Sequence, residues 1–113
     1  MSLRQNLESM LAAGQDNALL RFTLGNEYLK EGQAGIAVEH LSAATEHDPG
    51  YTAAWKQLGK AFEQNGEPGK ALEAWKRGQK AAEETGDIQA GKEMRVFARR
   101  LGKKLDDNPR KGG

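Results

Sequence analysis

Two histidines, His40 and His47, are the chain's whole supply of imidazole, and they stand seven residues apart with Glu39 and Glu46 beside them. On a helix that spacing is two turns, about 10 Å along the axis. This is too far for one zinc ion, whose ligands on a helix face come three or four residues apart. Both rings therefore read as structural or solvated. There is no cysteine, which removes disulfides, thiolate ligands and a cysteine nucleophile. Ser2 reads as a helix cap, and Ser42 lies on a helix among small residues with no nucleophile elbow around it. The fourteen glycines fall at helix ends and hairpin contacts, not in a strand, Gly-rich loop and helix that would cradle a phosphate. The residues offer no catalytic set, no metal site and no cofactor site, so the protein is expected not to be an enzyme.

What remains is the chemistry of charged side chains. The net charge of +1 argues against a generic polyanion binder, but it hides an asymmetry. From Ile88 to the end there are eight Lys/Arg against three Asp/Glu, net +5, which leaves residues 1–87 at net −4. Arg95, Arg99, Arg100, Lys103 and Lys104, with Arg110 and Lys111, form a dense C-terminal cluster that admits nucleic-acid or anionic-surface binding as an alternative function. Phe97 is the one aromatic among them, and helical spacing leaves it on a flank, so the stacking platform of a nucleic-acid binder is missing.

These residues must be positioned by helices. Nothing in the chain alternates like a strand, and a chain of 113 residues suits one domain that buries roughly 65% of its unfolded surface. Ser2, with Gln5 reaching back, predicts a capping box ahead of a first helix carrying Leu3, Leu7, Met10 and Leu11 on one face, and Gly14 ends it. Asp16 is the expected cap of a second helix over 17–31, whose inward stripe is Leu20, Leu24 and Tyr28. A third covers 34–47 and stops at Asp48-Pro49-Gly50. Thr52 is expected to cap a fourth that runs to Gly66, and Pro68 opens a fifth that runs to about Thr85. Gly86-Asp87 reads as a stop and a cap before a sixth, over 88–105, with Ile88, Gly91, Met94, Ala98, Leu101 and Leu105 at helical spacing. The polar end, 106–113, is expected to fray. The N-terminus has no basic stretch followed by an apolar run, and no apolar run approaches membrane length; neither a leader nor a span is expected, and a cytoplasmic location fits.

The segment Thr52–Gly86 slid back by thirty-four residues nearly overlays itself: Leu58-Gly59 on Leu24-Gly25, Phe62 on Tyr28, Gly66 on Gly32, Ala71 on Ala37, Trp75 on Leu41, and Gly78 on Ala44. A fixed period of this length is a repeat signature. Trp55-x-x-Leu58-Gly59-x-x-Phe62 with Ala71 and Trp75, and the second copy Leu24-Gly25-x-x-Tyr28 with Ala37, Leu41, Ala44 and Pro49, resemble the tetratricopeptide repeat family over residues 18–86. Arg21 departs from the signature where an apolar or aromatic residue is usual, which passes that packing role to Phe22 or Leu20; Glu83 departs where the first copy has Pro49. Small glycines at 25 and 59 would let the helices of each hairpin approach, with Tyr28, Phe62 and Trp75 filling the gaps. The expected architecture is all-α, a right-handed superhelix of antiparallel hairpins with about six helices. Residues 2–14 form an N-terminal cap, 18–51 and 52–86 two repeats, and 87–105 a C-terminal cap that also resembles the first helix of a truncated third copy.

The resemblance implies a protein-interaction module, an adaptor, co-chaperone or assembly factor, in which the first helix of each repeat lines a concave groove for an extended peptide or a partner's tail. In the first copy Leu19, Phe22, Asn26, Leu29 and Lys30 would face the groove, and in the second Ala53, Lys56, Lys60, Glu63 and Gln64. Lys92, Arg95 and Arg99 are expected to add cations from the final helix. Members that clamp a terminal carboxylate pair a lysine with an asparagine one turn on; Asn26 matches, but Phe22 stands where that lysine would be. The groove would thus be apolar on its N-terminal side and cationic on its C-terminal side, suited to an acidic segment or a free C-terminus. The acidic first part and basic last helix also make a weak self-association natural beside a monomer.

Overall fold

The computed structural model describes residues 2–107 of the chain. Six helices account for it: α1 (Leu3–Ala12), α2 (Ala18–Lys30), α3 (Ala34–His47), α4 (Thr52–Gln64), α5 (Pro68–Thr85) and α6 (Ile88–Asp106). Among the described residues there is no strand. Arg110 and Lys111, and most of the polar C-terminal tail, lie outside the described residues.

Local chemistry explains most of these bounds. The Ser2 hydroxyl oxygen accepts from the Gln5 amide while Gln5 Oε1 accepts from the Ser2 amide, both at 3.1 Å, closing the capping box. Gly86, with φ +78°, turns the chain through the left-handed region that other residues avoid. Asp87 Oδ1 then accepts from the Ala90 amide at 3.2 Å and starts α6. Two expected caps are corrected. Asn17, not Asp16, caps α2, its Oδ1 accepting from the Leu20 amide at 2.9 Å. Thr52 is the first residue of α4 and caps nothing; its hydroxyl donates across to Asp87 Oδ2 at 2.5 Å, tying α4 to the start of α6. Both positions carry good capping side chains that find a tertiary partner instead.

The hairpins close through small residues set against large ones. A Cβ on Gly25 would lie 2.6 Å from Leu41 Cγ, and a Cβ on Gly59 would overlap the Trp75 indole. These are the same pair of positions, one period apart. Gly78 plays the equivalent part toward α6, where a Cβ would collide with Met94 Sδ. Trp75 is 1% exposed, and its indole N–H donates to the Lys56 carbonyl oxygen at 3.0 Å, so its polar edge is satisfied. No buried side-chain nitrogen or oxygen among the described residues lacks a partner.

Helices α2, α4 and α6 run side by side, with α3 and α5 packed behind them in antiparallel hairpins and α1 against α2, giving an elongated molecule of 50 × 32 × 18 Å. If helix starts are aligned, α6 carries Met94-Arg95 where α4 carries Leu58-Gly59. Ala90, Met94 and Leu101 of α6 are buried where the helix packs against α5 and α4.

Candidate partner-binding surface

The face built from α2, α4 and α6 gathers most of the predicted groove residues, but several are committed to one another. On its N-terminal side Phe22 is half-buried and packs on Tyr51 in the turn before α4, ring centroids 4.8 Å apart. Leu19 is 65% exposed, Leu29 packs against the core, and Lys30 stays exposed while pairing with Glu27 at 3.2 Å. Asn26 Oδ1 accepts from Gln57 Nε2 at 3.0 Å, which stitches α2 to α4.

Beside Arg21, Leu20 is buried in the core and Phe22 packs against it. Arg21 itself folds back, donating through Nε and Nη2 to both carboxylate oxygens of Asp16 (2.8 and 3.0 Å) and through Nη1 to His40 Nδ1 (3.0 Å). His47 Nε2 also meets Asp16 Oδ1, at 2.9 Å. The hydrogen bonds from Arg21 and then His47 hold the Asp16 carboxyl well below the usual carboxylate range. His40, whose Nδ1 accepts, is pushed down first by burial and then by the Arg21 charge, so it is held neutral. Both histidines thus have structural partners, and among the described residues no group of His, Asp and Glu is arranged to hold a metal ion.

The cationic side of the groove differs from the expected set. Lys56 Nζ pairs with Glu93 Oε1 at 3.2 Å across the α4/α6 seam, so its charge is largely answered within the molecule. Lys60 Nζ sits 5.0 Å from the centroid of Phe97, whose ring in turn packs on Trp75 at 5.6 Å. Lys60, Arg100 and Lys104 then line a cleft of about 340 Å³ with Phe97, Trp75 and Leu101, and Glu63 is its acidic lining residue. A wider hollow of about 750 Å³ continues past Glu63 toward Pro68, again along Arg100 and Lys104 and adding Lys103. Lys92 and Arg95 are not part of this set. They line a separate cleft of about 210 Å³ with Gln79, Glu83 and Ile88 of the α5/α6 end, because Glu93 and Phe97 take the face of α6 that meets α4. Arg99, four residues after Arg95, shares the side of the helix that Arg95 presents, and is exposed.

The α6 cations that share a cleft with Lys60 are thus Arg100 and Lys104, and Lys92 and Arg95 line another. The signal was present in the sequence: Glu93, Phe97, Arg100 and Lys104 recur at four, three and four residues, which is one helical face. Ala98, next to Phe97, also fits the apolar spacing of the helix, so spacing alone does not separate the two faces.

Comparison with known proteins agrees with this architecture. The tetratricopeptide repeat pattern matches residues 28–93, more than half of the chain. The chain belongs to the tetratricopeptide repeat family. A repeat-containing protein of Pseudomonas aeruginosa in the same family is 53% identical over 97 residues, which cover 86% of this chain and 92% of that one. A protein of Bordetella parapertussis with a solution structure is 46% identical, superposes with a TM-score of 0.80, and is covered to 90% by 92% of this chain. The tetratricopeptide repeat domain protein of Salinibacter ruber shares the fold, with a TM-score of 0.71 at 24% identity, over 77% of this chain and 97% of that one. As a tetratricopeptide repeat protein, this chain has the fold of a protein–protein interaction module. No described helix is long and apolar enough to cross a membrane.

Proposed function

We propose that this protein is a non-catalytic adaptor or assembly factor that binds an extended segment of a partner protein along the α2/α4/α6 face, with the partner's acidic side chains or free carboxylate at the α4/α6 seam. The observation that carries this reading is that Lys60, set over the Phe97 ring, lines one cleft with Arg100 and Lys104, in which Glu63 is the acidic lining residue. Each exposed cation is worth ~0.2–1 kcal/mol in a pair, but several together steer encounter and fix which end of a partner lies where. The apolar side, with Leu19 exposed and Phe22 on Tyr51, would take the segment's hydrophobic residues.

The test is capture from a lysate of the source cell by the wild type and by Lys60→Glu/Arg100→Glu. Lys56 is left alone because Lys56→Glu would set two carboxylates against each other at Glu93 and loosen α6. Loss of the captured proteins with the double variant supports the reading; an unchanged set of proteins at unchanged yield contradicts it. Capture of nucleic acid alone, collapsing with modest salt, would instead favour the basic-helix alternative.

A further inference from the structure

The two repeats share a backbone register but not a side-chain filling, and the difference is concentrated in one place. In the first repeat the hollow above α2 is filled by the chain itself. His40 of α3 stacks on Tyr28 with centroids 5.5 Å apart and planes 12° apart, Arg21 Nη1 donates to its Nδ1, and the Tyr28 hydroxyl donates to Glu8 of α1 at 2.6 Å. One period on, the positions of Arg21, Tyr28 and His40 are held by Trp55, Phe62 and Ala74. The ring is gone, and its place is a cleft of about 420 Å³ between α3 and α5, floored by Trp55, Leu58 and Phe62 with Ala74 in its wall.

The rim of this cleft shows what chemistry would enter. Arg77 lies over the Trp55 ring at 4.6 Å, and Lys70 stands 6.0 Å from the Phe62 ring while pairing with Glu67 at 3.0 Å. Glu46 and Glu73, both exposed and both lining the cleft, are in no ion pair among the described residues. Trp55 is buried and already covered by Arg77, which leaves the half-buried Phe62 as the ring a flat partner could stack on, and the carboxylates of Glu46 and Glu73 at the rim select a ring with a hydrogen to donate.

We propose that the α3/α5 cleft is a second docking site, for a histidine or tyrosine side chain presented by a partner protein, seated on Phe62 where the chain's own His40 sits on Tyr28 one repeat earlier. The site lies between α3 and α5 over the Trp55, Leu58 and Phe62 side of α4, and shares no lining residue with the α4/α6 cleft, so it does not depend on the groove reading.

The probes are the blocked tripeptides Gly-His-Gly and Gly-Tyr-Gly, with Gly-Leu-Gly and free 4-methylimidazole and p-cresol as controls, followed by amide and indole N–H shifts in the full chain. The ring tripeptides should give saturable shifts centred on the Trp55 indole, Thr45 and Phe62, and Gly-Leu-Gly should bind at least roughly tenfold more weakly, the ratio that about 1.4 kcal/mol of ring contact would give. Ala74→His should supply the ring from within and abolish these shifts while the rest of the spectrum stays native. Ala74→Gln, a flexible filler, gives the same test should the histidine variant not fold. Lys60→Glu/Arg100→Glu should leave the shifts unchanged, which separates this site from the groove. The proposal is overturned by an absence of shifts, by equal binding of Gly-Leu-Gly, by binding that survives the Ala74 variants, or by free rings binding where the tripeptides do not.

Discussion

Gly59 and Gly102 should respond in opposite directions to the same methyl group. A Cβ at Gly59 would strike the indole of Trp75, which is fully buried and also fixed by its hydrogen bond to Lys56, so Gly59→Ala should destabilise the fold by ~1–3 kcal/mol despite alanine's better helix propensity. Nothing lies within 4 Å of a Cβ at Gly102, inside α6, and Gly102→Ala should stabilise by ~0.5–1 kcal/mol. Urea unfolding of the two variants checks both signs. The small-to-large pairing is legible in the sequence, because Gly25 with Leu41 and Gly59 with Trp75 recur at one period. What individual polar side chains do was less legible. Asp16 and Asn17 are adjacent and equally good caps, and only the tertiary position of Arg21 and His47 decides that Asp16 is spent on them and Asn17 on the helix.

At the scale of the helix the same cluster makes stability depend on pH in two windows. His40 is held neutral, so its folded value lies below the unfolded one near 6.5; the unfolded chain binds the extra proton, and stability should fall as pH drops below about 6.5. His40→Gln should remove that slope, as read from urea midpoints between pH 7 and 5. Asp16 and Asp87 are depressed carboxylates, held down chiefly by Arg21 and by the Thr52 hydroxyl respectively; their contribution is complete above the unfolded value near 4 and is lost as pH falls below it. Asp16→Asn should flatten the acid limb. The sixth helix depends on a different anchor. Met94 is fully buried beneath Gly78, and Met94→Ala should cost ~2–5 kcal/mol and speed hydrogen exchange in α6 ahead of α2 and α3. The bounds of α6 were readable from Gly86-Asp87 and its apolar spacing, but the face it turns to α4 was not. Ile88, counted in the apolar stripe, is 71% exposed, and Phe97, left out of it, packs on Trp75.

Across the whole molecule, two hairpins and two flanking helices present one continuous layer of α2, α4 and α6, and the sequence asymmetry of charge becomes a spatial one. The apolar surface of Leu19, Phe22 and Tyr51 lies at the α2 side, and Lys60, Arg100 and Lys104 lie at the α6 side. The repeat period foretold the layer, since it is a property of backbone register and core residues. It could not foretell which exposed cations converge, since that depends on the rotation of α6 about its axis, set by Met94 and Phe97 against α5 and α4. The measurement that tests the functional account most directly is selection from a peptide library tiling the source proteome, with free C-termini retained, against the wild type and Lys60→Glu/Arg100→Glu. The account predicts enrichment of segments that join an apolar stretch to acidic residues or a terminal carboxylate, with binding at least roughly tenfold weaker in the double variant, a loss of about 1.4 kcal/mol. Enrichment of the same peptides at equal affinity by both proteins would contradict it.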